Sequence, residues 1–327
     1  NVPSETDRVL LEIHMNKILV AILALILAAC QPASETETAE APEAAPETEA
    51  TEMAEAAPET EAAVDEEINT LAAVLDAQPD EVKARYQYRH PQETLEFFGV
   101  TPGMTVVEAL PGGGWYTKIL LPYLGSEGRL IGANFSLDVS ALYPSSTEES
   151  MERARAWISK FPADAAEWAG ADGASVDAFY FGSMPDALKG TADFVFFARA
   201  LHGVARFDSQ GDFTTEVMAD AYAALKPGGI LGVVQHHASD DMSDEFADGD
   251  RGYLKRGYVV AAAEQAGFEL VGESDINANP MDQPGEDDFV WRLPPSLSSS
   301  KEDPELRAKY EAIGESNRMT LKFRKPE

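Results

Sequence analysis

Apolar and polar positions follow two rhythms along this chain. Short runs rich in β-branched and aromatic residues, at 105–110, 129–135, 176–181, 192–198 and 230–235, are bounded by Gly, Pro or polar residues. Their near-continuous apolar character predicts strands buried on both faces of a parallel sheet. Between them, 115–124, 147–161, 213–225 and 258–266 carry the helical spacing of apolar side chains. Pro91 stands at the first turn of a further helix, with Thr94, Leu95 and Phe98 inside it. Ahead of it, Ile68, Leu71, Leu75 and Val82 suggest short amphipathic helices, and two late strands are predicted at 268–274 and 319–324. Strand and helix alternate, and then two strands close the chain. That order implies one α/β domain, a doubly wound and mostly parallel sheet with helices on both faces.

The pattern stops short of the N-terminus. Met15-Asn16-Lys17 precedes an apolar run at 18–29 and then Cys30. A basic start and a short apolar run predict a secretory signal, too short to span a bilayer, which needs about 20 apolar residues. Leu27-Ala28-Ala29-Cys30 resembles a bacterial lipobox, which implies a lipid anchor through Cys30. Gln31 after the cysteine suggests outer-membrane sorting in a Gram-negative host. The expected location is therefore the cell envelope, and, if the host is Gram-negative, the outer membrane facing the periplasm. Residues 1–14 read as an upstream extension, 15–29 as signal peptide, 30–66 as an acidic tether rich in Ala, Pro and Glu, and 67–327 as the folded domain. The tether lacks the large apolar side chains that would offset the entropy of ordering it, so it is expected to be disordered.

Charge narrows the partners. The 327 residues carry a formal net charge of -32. A surface so acidic repels phosphate backbones, which argues against nucleic acid. Cys30 is the one cysteine, so no disulfide forms within the chain and no thiol remains in the folded part. The five histidines show no metal-ligand spacing, and no metal is expected.

In a doubly wound sheet, ligands sit beyond the carboxyl ends of the strands. The first strand, with Glu108 near its end, runs straight into Pro111-Gly112-Gly113-Gly114, a turn where backbone can approach a ligand closely. It lacks the Lys-Ser or Lys-Thr of a phosphate loop and the spacing of a dinucleotide fingerprint. The fourth strand is followed by Arg199 and His202. The arginine suits an anionic group and the histidine suits proton transfer, although salt bridging and loop packing are rival roles. If 199–202 opens a helical turn, their side chains point to a similar side. His236 and His237 follow the fifth strand and should face opposite ways. Tyr88, Arg89 and His90 lie where a lid would fold over the site.

The stretches RYQYRHPQETLEFFGVTPGMTVVEALPGGGWYTKILLPYL, FARALHGV, LKPGGILGVVQHH, INANP and IGESNRMTLKF span nearly all of the folded part. In them the chain resembles class I S-adenosylmethionine-dependent methyltransferases, and more narrowly a family of bacterial predicted methyltransferases that often carry secretion signals. The resemblance implies a seven-stranded Rossmann-like sheet with a late antiparallel strand, S-adenosyl-L-methionine as cofactor and a small-molecule methyl acceptor. It places cofactor contacts at Glu108, Gly112, Gly113, Gly114 and Trp115. Leu110 stands where the superfamily has its first glycine. The ribose-binding acid after the second strand is missing, with Asn134 and Asp138 nearest; both also suit a turn. Phe181 falls on the adenine side, or in the core. Arg199, His202 and His236 would face the acceptor. A catalytically degenerate binding protein on the same scaffold is the alternative, favoured by the missing acid. A nicotinamide-dependent oxidoreductase lacks its fingerprint here.

Overall fold

A computed structural model describes residues 70–327. Four short helices lead in: α1 (Leu71–Asp76), α2 (Asp80–Lys83), α3 (Tyr86–Arg89) and α4 (Pro91–Phe98). Then follow β1 (Thr105–Ala109), α5 (Thr117–Leu124), β2 (Arg129–Asn134), α6 (Leu137–Leu142), α7 (Glu148–Ala169) and β3 (Ser175–Tyr180). The second half holds β4 (Ala192–Ala198), α8 (His202–Ala205), α9 (Phe213–Ala224), β5 (Leu225–Ala238), β6 (Leu254–Lys255), α10 (Arg256–Gln265), β7 (Glu269–Ser274), α11 (Pro304–Ile313) and β8 (Arg318–Arg324). The strands lie in the order β3-β2-β1-β4-β5-β8-β7, with β6 beside β5 off this path. β1 to β5 are mutually parallel, and β8 runs antiparallel between β5 and β7. This is the Rossmann-like methyltransferase topology, with its late antiparallel strand in place.

Period-two alternation sends successive strand residues into two separate cores. Val106, Phe194, Phe196 and Val234 pack with Leu95 and Phe98 of α4, Ile119 to Leu121 of α5, and Phe161 and Ala165 of α7. Val107, Val195, Phe197 and Val233 face the other way, onto Val217, Met218 and Ala221 of α9 and Val259 and Ala263 of α10. Phe194, Phe196 and Phe197 are at most 1% exposed. Burial of a side chain of that size stabilises by about 2 kcal/mol. With both faces covered, polar chemistry is left to the strand ends. The chain winds from β1 out to β3 and returns to β4 on the other side of β1, so the switch point lies between β1 and β4.

Several elements depart from the sequence reading, among them α6, α8 and β6, which it did not predict. The helix predicted to end at 161 continues through Pro162 to Ala169, because Phe161, Ala165 and Trp168 on successive turns have apolar surface to cover. The fifth strand starts earlier, at Leu225, which pairs with Ala192. Pairing resumes at Ile230 opposite Phe194, so Lys226-Pro227-Gly228-Gly229 loops out between two paired stretches. α11 carries no buried residue and gave no apolar periodicity; it is marked only by Asp303, whose carboxylate caps the N–H groups of Glu305 and Leu306, and by Pro304.

The long segment between β7 and β8 is pinned from inside. Asp282 accepts from Arg292 at 2.7 Å, from the Tyr253 hydroxyl at 3.0 Å and from the Asn317 backbone at 2.9 Å. Arg292 and Asp282 have side chains only 3% and 0% exposed. Asp282→Ala would leave the buried guanidinium with only the part-exposed Asp288, 3.3 Å away, as counter-charge, and should cost about 3 kcal/mol in chemical denaturation. A loss below about 1 kcal/mol would show that water reaches the pair.

Candidate active site

The residues at the switch point are held by unusual backbone. Leu110, Arg199 and His90 all take left-handed φ values, 48°, 60° and 40°. For a residue with a side chain such a conformation costs roughly 1–2 kcal/mol. Leu110 takes a conformation that glycine adopts more readily, and its N–H bonds the Ala133 carbonyl at 2.7 Å. The turn that follows differs from glycine to glycine. Gly112 and Gly113 are exposed, and a methyl group on Gly113 would meet nothing within 4 Å. Gly114 is buried, and a Cβ there would lie 2.3 Å from the Trp168 ring. The close approach at Gly114 is therefore to α7, not to open space. Trp115 turns toward the lead-in helices, its indole N–H reaching the Val82 carbonyl at 3.3 Å with the Arg89 guanidinium 4.4 Å above its ring.

Glu108, 3% exposed, closes the strand beneath this turn and accepts from the Thr117 hydroxyl at 2.6 Å. Burial pushes its carboxyl up to about 7, against the opposing pull of the Thr117 hydrogen bond and the Arg199 charge. Arg199 follows β4 in a bend, its N–H on the Val234 carbonyl. α8 begins only at His202, so the two are not on one helical turn. The structure nevertheless brings Arg199, His202, His236 and Glu108 into one electrostatic neighbourhood: the Arg199 charge acts on all three others.

The histidines are held neutral. Enclosure pushes His202 down to about 4, helped by Arg206 and Arg199. Burial likewise lowers His236 well below the usual range, with His202 and Arg318 adding to it. Their rings lie 5.4 Å apart. Gln235 fixes the His202 tautomer. Its amide nitrogen donates to the Gly252 carbonyl at 3.0 Å, so the same nitrogen faces His202 Nδ1 at 3.3 Å. Nδ1 then accepts, and the ring proton rests on Nε2. His236 Nδ1 lies 2.5 Å from the Ser316 hydroxyl. His237 is half-buried in a separate crevice with Asn317 and Arg318.

Several residues of this neighbourhood escaped the sequence reading. Glu315, just before β8, accepts from Arg85, from Arg89 and from Arg318, the last at 2.6 Å. Burial works to raise its carboxyl, but Arg318, Arg89, Arg199 and Arg85 outweigh it and hold it low. Arg318 pairs with His236 across the β5–β8 register. The signal was available: Glu-Ser-Asn-Arg is a polar run at the mouth of an apolar strand.

On the other side of β1, a cavity of about 490 Å³ opens beyond β2 and β3. Asp138, Ser183 and Glu216 line it, as does Phe181, whose 1% exposed ring belongs to the core and stacks on Phe197. Asn134 turns back on itself, its Oδ1 accepting from the Phe135 N–H at 2.9 Å.

No protein-family model matches the chain, and no curated protein matches it. Among solved structures it is similar to the complex of the Haloferax volcanii Trm112 methyltransferase activator with a methyltransferase, at 17% identity and TM-score 0.45 over 79% of this chain and 99% of that one. An S-adenosylmethionine-dependent methyltransferase from Aquifex aeolicus matches at 17% and TM-score 0.40, over 64% and 93%. The [4+2]-cyclase SpnF matches at 14% and 0.45, over 73% and 80%. The fold itself, by its strand order and its antiparallel β8, is a Rossmann-like methyltransferase topology.

The expected envelope location is corrected. No helix among the described residues is long and apolar enough to cross a membrane. A short apolar run ahead of a cysteine does not by itself place a chain in a membrane. Cys30, the signal and the tether lie outside the described residues.

The raised Glu108 has a measurable consequence. Its folded pKa of about 7 exceeds the ordinary 4.5, so the folded state binds the extra proton and loses stability as pH rises from 4.5 through 7. His202, lowered from 6.5 to about 4, works in the opposite sense, losing stability as pH falls through that window. Glu108→Gln should therefore gain on the wild type as pH rises from 4.5 to 8, by on the order of 3 kcal/mol. A difference that stays flat with pH in urea denaturation would show Glu108 to be ionised throughout.

Proposed function

We propose that this chain transfers a methyl group from S-adenosyl-L-methionine to a small-molecule acceptor. One observation carries the reading. At the switch point of a methyltransferase-like sheet, an open glycine turn over β1 adjoins a half-buried arginine whose Nη1 is buried with no hydrogen-bond partner. A turn accessible to ligand and a donor without an acceptor mark adjoining parts of a binding site.

The residues present fit the cofactor. Gly112 and Gly113 leave room for its methionine part above β1. The cavity beyond β2 and β3 would take the adenosine, with the Asp138 carboxylate available to ribose hydroxyls in place of the missing acid at Asn134. S-adenosylmethionine supplies an electrophilic methyl group on a sulfonium sulfur. The chain's part is to bind and orient the acceptor. Arg199 holds its anionic group. His202 and His236, both neutral, present hydrogen bonds; with its proton on Nε2 and low basicity, His202 orients the acceptor better than it deprotonates it.

A binding protein on this scaffold is the second reading, favoured by Asn134, whose side-chain oxygen is spent on its own backbone. Calorimetry with S-adenosylmethionine and its demethylated product separates the two. Gly113→Val is the informative variant, because Gly113 has an ordinary backbone conformation and free space, whereas Gly114→Val would collide with Trp168. Gly113→Val should keep its melting temperature and bind the demethylated product at least about tenfold more weakly. A wild type that binds neither compound would turn the assignment to the binding protein.

A further inference from the structure

The charge at the switch point does not balance. Arg85, Arg89 and Arg318 share the carboxylate of Glu315, whose side chain is 4% exposed. Arg199 belongs to the same cluster, since its charge bears on Arg89, Arg318 and Glu315. It has no ion-pair partner and no side-chain hydrogen bond among the described residues, and its Nη1 is buried. Even with Glu108 fully ionised, four guanidinium groups outnumber two carboxylates. Asp282, the next buried acid, is taken by Arg292. In a chain of net charge -32, anions were plentiful for pairing, yet this cluster was left cationic.

Desolvated guanidinium groups held together without counter-charge are costly. Burial pushes Arg89 down to about 9 and Arg318 to about 10, with Arg199 contributing to both, so they remain cations at neutral pH under mutual repulsion. Arg199 carries a further cost, its left-handed backbone. On β5, one residue beyond the Ala198–Val234 pair, Gln235 leaves its own Oε1 buried without a donor. Two buried unsatisfied groups of opposite sense, at the carboxyl ends of the neighbouring strands β4 and β5, are what a polar ligand would complete. A self-contained ion-pair network would have paired Arg199 internally.

We propose that Arg85, Arg89, Arg199 and Arg318, gathered around Glu315 at the carboxyl ends of β1 and β4, recognise a carboxylate or phosphate group of the methyl acceptor. Arg199 supplies the unpaired donor, and the other three supply the surrounding positive field. The substrate is thus an anionic small molecule. This rests on the methyl-transfer reading for the word acceptor, while the anion site itself stands or falls independently.

The test uses the full chain, with inorganic phosphate and succinate as probes against chloride at constant ionic strength. Either probe at saturating concentration should raise the melting temperature by about 3 °C or more beyond chloride. The gain should persist with the demethylated cofactor product saturating. Arg199→Met should abolish the gain and yet melt no lower than wild type without anions, because it removes an unpaired charge. If that variant fails to fold, Arg199→Lys keeps a cation at the same backbone position, and phosphate should bind it about tenfold more weakly by calorimetry. An Arg199→Met protein that still gains in phosphate, or melts much lower than wild type without it, would overturn the site. A gain that disappears when the cofactor product is bound would assign the guanidinium to the cofactor's own carboxylate and overturn the acceptor assignment. Failure of the product to bind at all, with the phosphate gain intact, would remove the methyl-transfer reading and leave the anion site standing.

Discussion

Three guanidinium groups meet on one buried carboxylate, Glu315, and they come from opposite ends of the described chain. Arg85 and Arg89 stand on the helices before the sheet, and Arg318 opens its central antiparallel strand. Removing that carboxylate would leave cations facing one another with burial preventing water from screening them. The lead-in helices, the switch point and the start of β8 are therefore tied electrostatically as well as by packing. The same arrangement creates the excess of positive charge around Arg199. Holding the fold together and leaving a donor free are two results of one shortage of acid.

Backbone strain gathers in the same place. Leu110, His90 and Arg199 sit on three separate connections, and each takes a conformation that glycine would adopt at lower cost. Leu110 turns β1 into the glycine loop, His90 joins α3 to α4, and Arg199 turns β4 into the bend before α8. Such strain persists because the packed cores on both faces of the sheet determine these positions from below. Relief at Leu110 or Arg199 would move a strand end, and relief at His90 would move the junction of α3 and α4.

The fold was legible because it is written in periodicity. Strands 192–198 and 105–109 were bounded within a residue, since a parallel strand buried on both faces is an unbroken apolar run. The Lys226 to Gly229 segment misled, because a Pro-Gly-Gly run looks like the end of a helix and also serves as a bulge within a strand. The site was legible in part. The glycine turn and Arg199 stood out beside strand ends, but the assignment of each glycine to a role needed the third dimension: nothing in the sequence places Trp168, more than 50 residues away, against Gly114. Glu315 and Arg318 were hidden for the same reason. A carboxylate shared by arginines some 230 residues apart has no local pattern.

The position of β8 has a consequence for how the molecule is made. Residues 318–324 form the last strand described, yet they occupy an interior place between β5 and β7 and not an edge. Until they are synthesised, β5 offers an unpaired flank and β7 has no neighbour to join. Arg85 and Arg89 meanwhile wait for a carboxylate that the ribosome has yet to reach. Contacts of such long sequence separation form late and slowly. The nascent chain can bury much of its first core as it emerges, but its charge cluster assembles only after Glu315 and Arg318 have been joined.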